Sequence, residues 1–234
     1  MRTCIITGAG TGIGRETAIR LSQRDDIDNF ALLSLGEQDL LDTKSLMNQD
    51  KNIMLFDLDI TRHEDVQQVI NEIYQTFHSI DIVLNIAGYA KAANILECDL
   101  ETWKKTFDVN VTAMFWLTKL SVNFMKDKGG IILNVASTSG ITSRPGWLAY
   151  ASSKSAVVGF SRSLSDELKP YKIRVYSVLP GRCATSMRKG LVPDEDASTI
   201  MQPEEVANVI HMLVSPEENC LDGQDIIVRK QAWS

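Results

Sequence analysis

The chain has 234 residues, 44% of them apolar and 23% charged, which suits one α/β domain that buries roughly 70–75% of the surface its unfolded chain would expose. With 24 Lys and Arg against 30 Asp and Glu, the formal net charge of -6 excludes a broad cationic field for nucleic acid or for an anionic membrane surface. No apolar run approaches the roughly 18 to 20 residues that span a bilayer. The four cysteines, Cys4, Cys98, Cys183 and Cys220, are scattered and include no Cys-x-x-Cys, so they suggest buried thiols in a reducing compartment and no metal site. The start, Met-Arg-Thr-Cys-Ile-Ile-Thr-Gly, goes straight into a strand-like run with no charged leader or apolar h-region. The expectation is a cytoplasmic protein with a small-molecule or protein-borne substrate, acting on neither nucleic acid nor membrane.

Short β-branched and apolar runs recur at Thr3 to Thr7, Phe30 to Leu35, Ile53 to Leu58, Ile80 to Ile86, Gly130 to Val135, Ile173 to Leu179 and Ile226 to Val228. Strands apolar at nearly every position are covered on both faces, which implies a parallel sheet. Helix-like stretches alternate with them near 12–24, 62–78, 99–128, 150–169 and 203–214. This alternation predicts an α/β fold with a single doubly wound parallel sheet and helices on both faces, one domain over 1–234.

After the first strand comes Thr7-Gly8-Ala9-Gly10-Thr11-Gly12-Ile13-Gly14, opening a helix-like run from Arg15. Glycines there let the backbone approach a pyrophosphate, and the helix N-terminus offers free N–H groups to its charge. The second strand should end near Leu35, where an acidic residue would bind a ribose hydroxyl or a basic one a 2′-phosphate; the sequence offers Ser34-Leu35-Gly36-Glu37. Glu37 and Arg15 are the charged residues within reach, and each also reads as a solvated side chain. The missing acidic residue leans the reading slightly toward NADP(H).

The third strand delivers Phe56-Asp57-Leu58, where Asp57 either accepts the adenine amino group or caps a turn. The fourth delivers Asn85-Ile86-Ala87-Gly88, a turn whose glycine permits close packing against a ribose. Further on, Asn110 sits mid-helix against its propensity, flanked by Val109 and Val111. A buried asparagine at a bend could free a carbonyl to hold water in a proton relay. The fifth strand runs into Asn134-Val135-Ala136-Ser137-Thr138-Ser139, and Ser137, or Ser139 as its competitor, could orient a substrate oxygen.

Tyr150 and Lys154 stand four apart in Leu-Ala-Tyr-Ala-Ser-Ser-Lys-Ser-Ala and share a helix face. An ammonium beside a phenol favours the phenolate and draws its pKa from about 10 toward neutrality. Such a tyrosine can exchange protons with a substrate oxygen.

Together, Thr7-Gly8-x-x-x-Gly12-x-Gly14, Asp57, Asn85-Ile86-Ala87-Gly88, Asn110, Ser137, Tyr150-x-x-x-Lys154 and Pro180-Gly181-x-x-x-Thr185 resemble the short-chain dehydrogenase/reductase family over essentially the whole chain. The resemblance implies a Rossmann-type sheet that binds NAD(H) or NADP(H). Its cofactor contacts would come from Gly8, Gly10, Thr11, Gly12, Ile13, Gly14, Leu35, Asp57, Leu58, Asn85, Ala87, Gly88, Tyr150, Lys154, Pro180, Gly181 and Thr185. Asn110, Ser137, Tyr150 and Lys154 would form the catalytic tetrad, with no metal, interconverting a secondary alcohol and a ketone. The family's habit implies a homodimer or homotetramer. A substrate lid is expected near 186–202, where Arg182, Arg188 and Lys189 could greet a carrier-linked acyl group, as in the 3-oxoacyl carrier-protein reductases that the chain broadly resembles. Trp147, Leu148, Tyr89, Met187 and Leu191 could form an apolar pocket wall. The tail from Gly223 to Gln231 is more similar to dehydrogenases of hydroxy acids and small ketones. A nicotinamide-sensing protein without catalysis is the reading from another class.

Overall fold

The computed structural model describes residues 1–231. Seven strands, β1 (Thr3–Thr7), β2 (Asn29–Ser34), β3 (Asn52–Asp57), β4 (Ile82–Asn85), β5 (Gly130–Val135), β6 (Ile173–Pro180) and β7 (Asp225–Val228), form one sheet in the order β3-β2-β1-β4-β5-β6-β7. Every pairing is parallel. The sequence runs locate all seven strands to within a residue or two; β4 is shorter than its apolar run because Ile80 precedes the ladder.

Among the described residues the α-helices are α1 (Gly12–Ser22), α2 (Glu37–Leu46), α3 (His63–Phe77), α4 (Leu100–Phe107), α5 (Ala113–Met125), α6 (Leu148–Leu168), α7 (Ser186–Leu191) and α8 (Pro203–Leu213). Alternate residues of the five inner strands bury against opposite layers, as the two-residue period of a strand requires. Cys4 and Ile6 of β1 pack with Leu21 of α1 and Ile210 of α8. Ile5 of the same strand faces the other way, with Ile70 of α3 and Leu117 of α5. The apolar pattern of both strand faces is thus accounted for by two helical layers.

The helical expectations need three corrections. The stretch near 99–128 is not one helix: a π-helical turn, Asp108–Thr112, separates α4 from α5. Helix α2 was absent from the sequence reading because it buries only Leu40 and Thr43, too few apolar positions to print a helical period. Helix α6 begins at Leu148, two residues earlier than the predicted start.

The sheet reverses direction of winding between β1 and β4, so the carboxyl ends of those two strands diverge into a crevice, the usual ligand position in such sheets. Gly8 turns the chain there with φ +68, and a Cβ on Gly14 would sit 2.0 Å from the Gly8 carbonyl oxygen. Only glycine lets α1 fold back this tightly over the end of β1.

Candidate active site

A cleft of about 370 Å³ opens over the carboxyl ends of the central strands. At one end Gly8, Thr11, Gly12, Ile13 and Gly14 form its wall. Thr11 caps α1 without a side-chain hydrogen bond, and the first turn of α1 holds no acidic residue. Its leading N–H groups therefore have no internal anion, and the helix dipole leaves that end positive. A Cβ on Gly12, where φ is +53, would meet Thr185 at 3.1 Å across the cleft. Gly10 lies outside the wall; a Cβ there would meet Ser34 Oγ and Asp39 at 3.0 Å. Its part is to let α2 close on the turn.

The structure places two more of the sequence candidates, Asp57 and Asn85, away from this cleft. Asp57 is not in the wall: its Oδ1 accepts the Gly36 N–H at 2.9 Å, which fixes the start of α2. The wall instead contains Leu58, Asp59 and Ile60. Asp59 Oδ1 accepts from the N–H and hydroxyl of Thr61 at 2.9 and 2.7 Å, leaving its second oxygen beyond these bonds. The strand ends one residue earlier than its apolar run, and that displaces the acidic residue at the cleft by two positions. Asn85 is buried in the core beneath the floor, where its Nδ2 donates to Thr118 Oγ1 and Asn134 Oδ1. It ties β4 to β5 and α5.

Leu35 stands on the rim, 66% exposed. Glu37 starts α2 in solvent. Arg15 is committed elsewhere: its guanidinium donates to the Gly10 carbonyl at 2.8 Å, to Thr43 Oγ1 at 3.1 Å and to Asp39 Oδ1 at 3.3 Å. The strand end thus presents neither the acidic nor the basic group that separates the two dinucleotides.

Toward the other end, Ala87 and Gly88 form the wall beside Pro180, Gly181 and Thr185. The Ala87 N–H donates to Thr7 Oγ1 at 3.1 Å, holding the turn after β4 onto β1. A Cβ on Gly88 would lie 3.4 Å from Asn110 Oδ1 and 3.6 Å from Lys154 Nζ. Thr185 Oγ1 caps α7 by accepting the Arg188 N–H at 3.2 Å.

Ser137, Tyr150 and Lys154 share this end of the cleft. Gly140 brings them together, since a Cβ there would sit 2.7 Å from the Lys154 carbonyl carbon; its absence lets the serine turn lie against α6. Ser137 Oγ accepts the Ser139 N–H at 3.1 Å and donates to the Pro180 carbonyl across a long 3.5 Å. Its hydrogen is weakly held and free to turn to a stronger acceptor. Ser139, the competitor, also lines the cleft and serves Ser137 through its backbone.

Lys154 is buried and donates to the Val135 carbonyl at 2.8 Å, with Nζ 5.9 Å from the centre of the Tyr150 ring. Burial brings the ammonium down to about 8. Burial pushes the Tyr150 hydroxyl upward, while Ser137 and the charge of Arg188 pull it back. The expected order of influence is therefore revised. In the protein alone burial outweighs the opposing pull of Ser137 and Arg188, and the phenol keeps its proton. Cys183 also lines the cleft, but burial raises its thiol to about 12, which excludes a thiolate there.

Asn110 stands in the π turn and is buried beside the cleft. Its Oδ1 accepts the Tyr89 N–H at 2.7 Å, and its Nδ2 donates to the Tyr89 carbonyl and to Ser153 Oγ, both at 2.9 Å. Ser153 Oγ in turn donates to the Tyr150 carbonyl at 2.8 Å. Asn110 is thereby coupled to the tyrosine turn of α6. Sequence reasoning missed Ser153, although its place one turn after Tyr150 on α6 was a signal available there.

The segment after Thr185 carries α7 across the mouth. Arg188 donates to both oxygens of Glu195, at 2.6 and 2.8 Å, and Arg182 adds a bond of 3.2 Å to the same carboxylate. Among the described residues no group of three or more His, Cys, Asp or Glu could hold a metal ion, and no helix is long and apolar enough to cross a membrane.

Residues 2–196 match the family model described as short chain dehydrogenase. The chain is 32% identical to a 3-oxoacyl-[acyl-carrier-protein] reductase of Thermotoga maritima, over 96% of this chain and 95% of that protein. It is 28% identical to an NAD-dependent glycerol dehydrogenase of Listeria innocua, over 97% and 92% of the two chains. The fold superposes on levodione reductase with a TM-score of 0.90 at 23% identity, covering 97% of this chain and 96% of that one. Carveol dehydrogenase from Mycobacterium avium, solved with NAD, gives a TM-score of 0.89 at 22% identity, with coverages of 97% and 95%.

Proposed function

We propose a specific reaction for this chain, which belongs to the short-chain dehydrogenase/reductase family and is an NAD(P)-dependent oxidoreductase: the interconversion of a small secondary alcohol and its ketone at the Ser137–Tyr150–Lys154 end of the cleft. The observation that carries it is the meeting, in one crevice, of a proton-holding tyrosine with the uncapped, glycine-lined start of α1. The residues present fit a nicotinamide dinucleotide. The first N–H groups of α1 suit its pyrophosphate, Asp59 suits an adenine amino group, and the side-chain-free backbone at Gly12 and Gly88 leaves room for the remainder. The bound dinucleotide supplies or accepts the hydride.

The chain's own residues do the proton chemistry. In reduction the Tyr150 hydroxyl, kept protonated by burial, gives its proton to the carbonyl oxygen. Ser137 turns its hydroxyl from the Pro180 carbonyl to the same oxygen and fixes its direction. In oxidation both roles reverse, and the Lys154 ammonium favours the phenolate that must accept the alcohol proton. Asn110 acts through Ser153 to hold the tyrosine turn, and the widened π turn supplies a carbonyl outside the regular ladder for a relaying water. The segment 186–202 acts as the lid over this end.

At the end of β2 Arg15 is held by Asp39, so the slight lean toward NADP(H) rests on the missing acidic residue at Leu35 alone. A second reading, 3-oxoacyl carrier reduction, has the Thermotoga relative in its favour. Purified protein is assayed with both reduced dinucleotides against a panel of free ketones and an acetoacetyl carrier, following the nicotinamide absorbance. Turnover that vanishes in Tyr150→Phe supports the proposal; unchanged turnover in that variant refutes it.

A further inference from the structure

Five charged residues line the cleft: Asp59 at the adenine end and Arg144, Lys154, Arg182 and Arg188 toward the reacting end. Lys154 is internal and bonded to Val135. Arg182 and Arg188 share a single carboxylate, Glu195. Arg144 is exposed, on the loop between the serine turn and α6, and no ion pair among the described residues engages it. Three guanidiniums therefore line the cleft, two of them sharing one carboxylate and the third unpaired among the described residues, in a chain whose overall charge is -6. Such local excess against the global sign is a feature that the dehydrogenase chemistry does not require.

We infer that this end of the cleft recognises a carboxylate on the substrate, so that the ketone is a small oxo acid and the alcohol a hydroxy acid. The inference deepens, and rests on, the alcohol–ketone reading of the same site. Arg144 supplies a free planar fork, the geometry that grips a carboxylate by two parallel bonds. Arg188 and Tyr150 line the same cleft, which brings the cation to the cavity where the reacting oxygen is held. Its bond from Nε and Nη2 to Glu195 leaves Nη1 beyond that pair. Glu195 thus acts as a positioning residue that holds Arg188 and Arg182 at the mouth. The cleft, about 370 Å³ in all, must hold a dinucleotide portion as well, which restricts the acid to a small one. The pyrophosphate has its own site at α1, at the far end, so the arginines answer to a different anion.

The test compares acetoacetate with its methyl ester, which removes the charge and keeps the ketone. Calorimetric titration of each into the protein with oxidised dinucleotide needs no turnover. The expected result is at least about tenfold tighter binding of the acid, the size of one charge-assisted bond pair. In Arg144→Gln the acid-to-ester ratio falls toward one, and in steady-state reduction the loss appears in KM for the acid. Equal binding of acid and ester by the parent protein overturns the inference even if free ketones are reduced. A change in Arg144→Gln that appears equally in the affinity for NADH or NADPH also overturns it, by assigning the guanidinium to the dinucleotide. Acid-selective binding with no turnover of any carbonyl would sustain the carboxylate site and refute the oxidoreductase reading instead.

Discussion

Lys154 holds its Nζ 5.9 Å from the centre of the Tyr150 ring while donating its hydrogen bond to the Val135 carbonyl. The two groups face one cleft, yet each is shifted by burial away from its charged form. In that state Tyr150 is a proton donor by default. Tyr150→Phe keeps the ring and removes the proton, and is expected to cost about 10²- to 10⁴-fold in kcat for ketone reduction with little change in melting temperature. Steady-state kinetics and thermal unfolding of the two proteins check this pair of outcomes.

The burial of Lys154 also has a thermodynamic signature. Its proton is held to about 8 in the fold against an ordinary 10.5. Between those values the unfolded chain binds a proton that the fold has released, so stability rises with pH across that window, and the penalty is fully present below it. The shift corresponds to an effect on the order of 3 kcal/mol. Lys154→Met removes the titrating group, although it leaves the Val135 carbonyl without its donor. Urea unfolding at about pH 7 and about pH 10 is expected to show the variant gaining relative to the parent at the lower pH, with the gap closing at the higher. A gap independent of pH would mean that the ammonium is solvated.

Asp59 and Asp57 separate cleanly. Asp59→Asn changes a cleft wall, and is expected to weaken dinucleotide binding several-fold at unchanged stability. Asp57→Asn weakens the acceptor of the Gly36 N–H, and is expected to lower stability by about 1 kcal/mol with a smaller change in dinucleotide affinity. Dissociation constants from fluorescence titration, set beside urea midpoints, distinguish the two; identical behaviour would count against the assignment.

Gly14→Ala would drive a Cβ to within 2.0 Å of the Gly8 carbonyl, a backbone clash with nowhere to go, so loss of folded protein on expression is expected. Gly12→Ala meets only the Thr185 side chain, but at a positive φ. It is expected to fold with a stability loss of about 1 kcal/mol and to bind dinucleotide at least about tenfold more weakly. Circular dichroism and titration of the two variants side by side test this ordering.

Ser153→Ala removes one acceptor from Asn110 and the donor to the Tyr150 carbonyl. A loss of about 1 to 2 kcal/mol in stability is expected, together with a fall in kcat that exceeds any rise in the dinucleotide KM. Ser153→Thr, which restores the hydroxyl, is expected to recover part of kcat. Kinetics on the three proteins would show whether the hydroxyl, rather than the volume, is what matters.

The sheet was legible because its strands are apolar on both faces, and that pattern admits few alternatives; Ile5 and Ile6, neighbours in sequence, bury into opposite layers as the pattern requires. The turn after β1 and the Tyr150–Lys154 pair stood out through the ordered run of motifs around them, since either spacing alone is common. Asp59 was not, because two acidic residues flank Leu58 and only the exact end of β3 decides which reaches the cleft. Helix α2 was hidden by its sparse burial. The roles of Asn85 and Gly10 were hidden because a side chain buried among its own kind and one lining a ligand site carry the same letters. The effect of Arg188 on Tyr150 joins residues 38 apart in sequence, a relation that only the fold creates.

The π turn at Asp108–Thr112 amounts to one residue more than a regular helix needs between α4 and α5. Shortening the chain by one residue there would remove that surplus and restore an unbroken α-helix, with α5 left on the face it already presents. The packing of α5 on α3 would survive, whereas Asn110, which the widened turn itself carries, would leave Ser153. A one-residue deletion here should therefore spare the fold and cost the site.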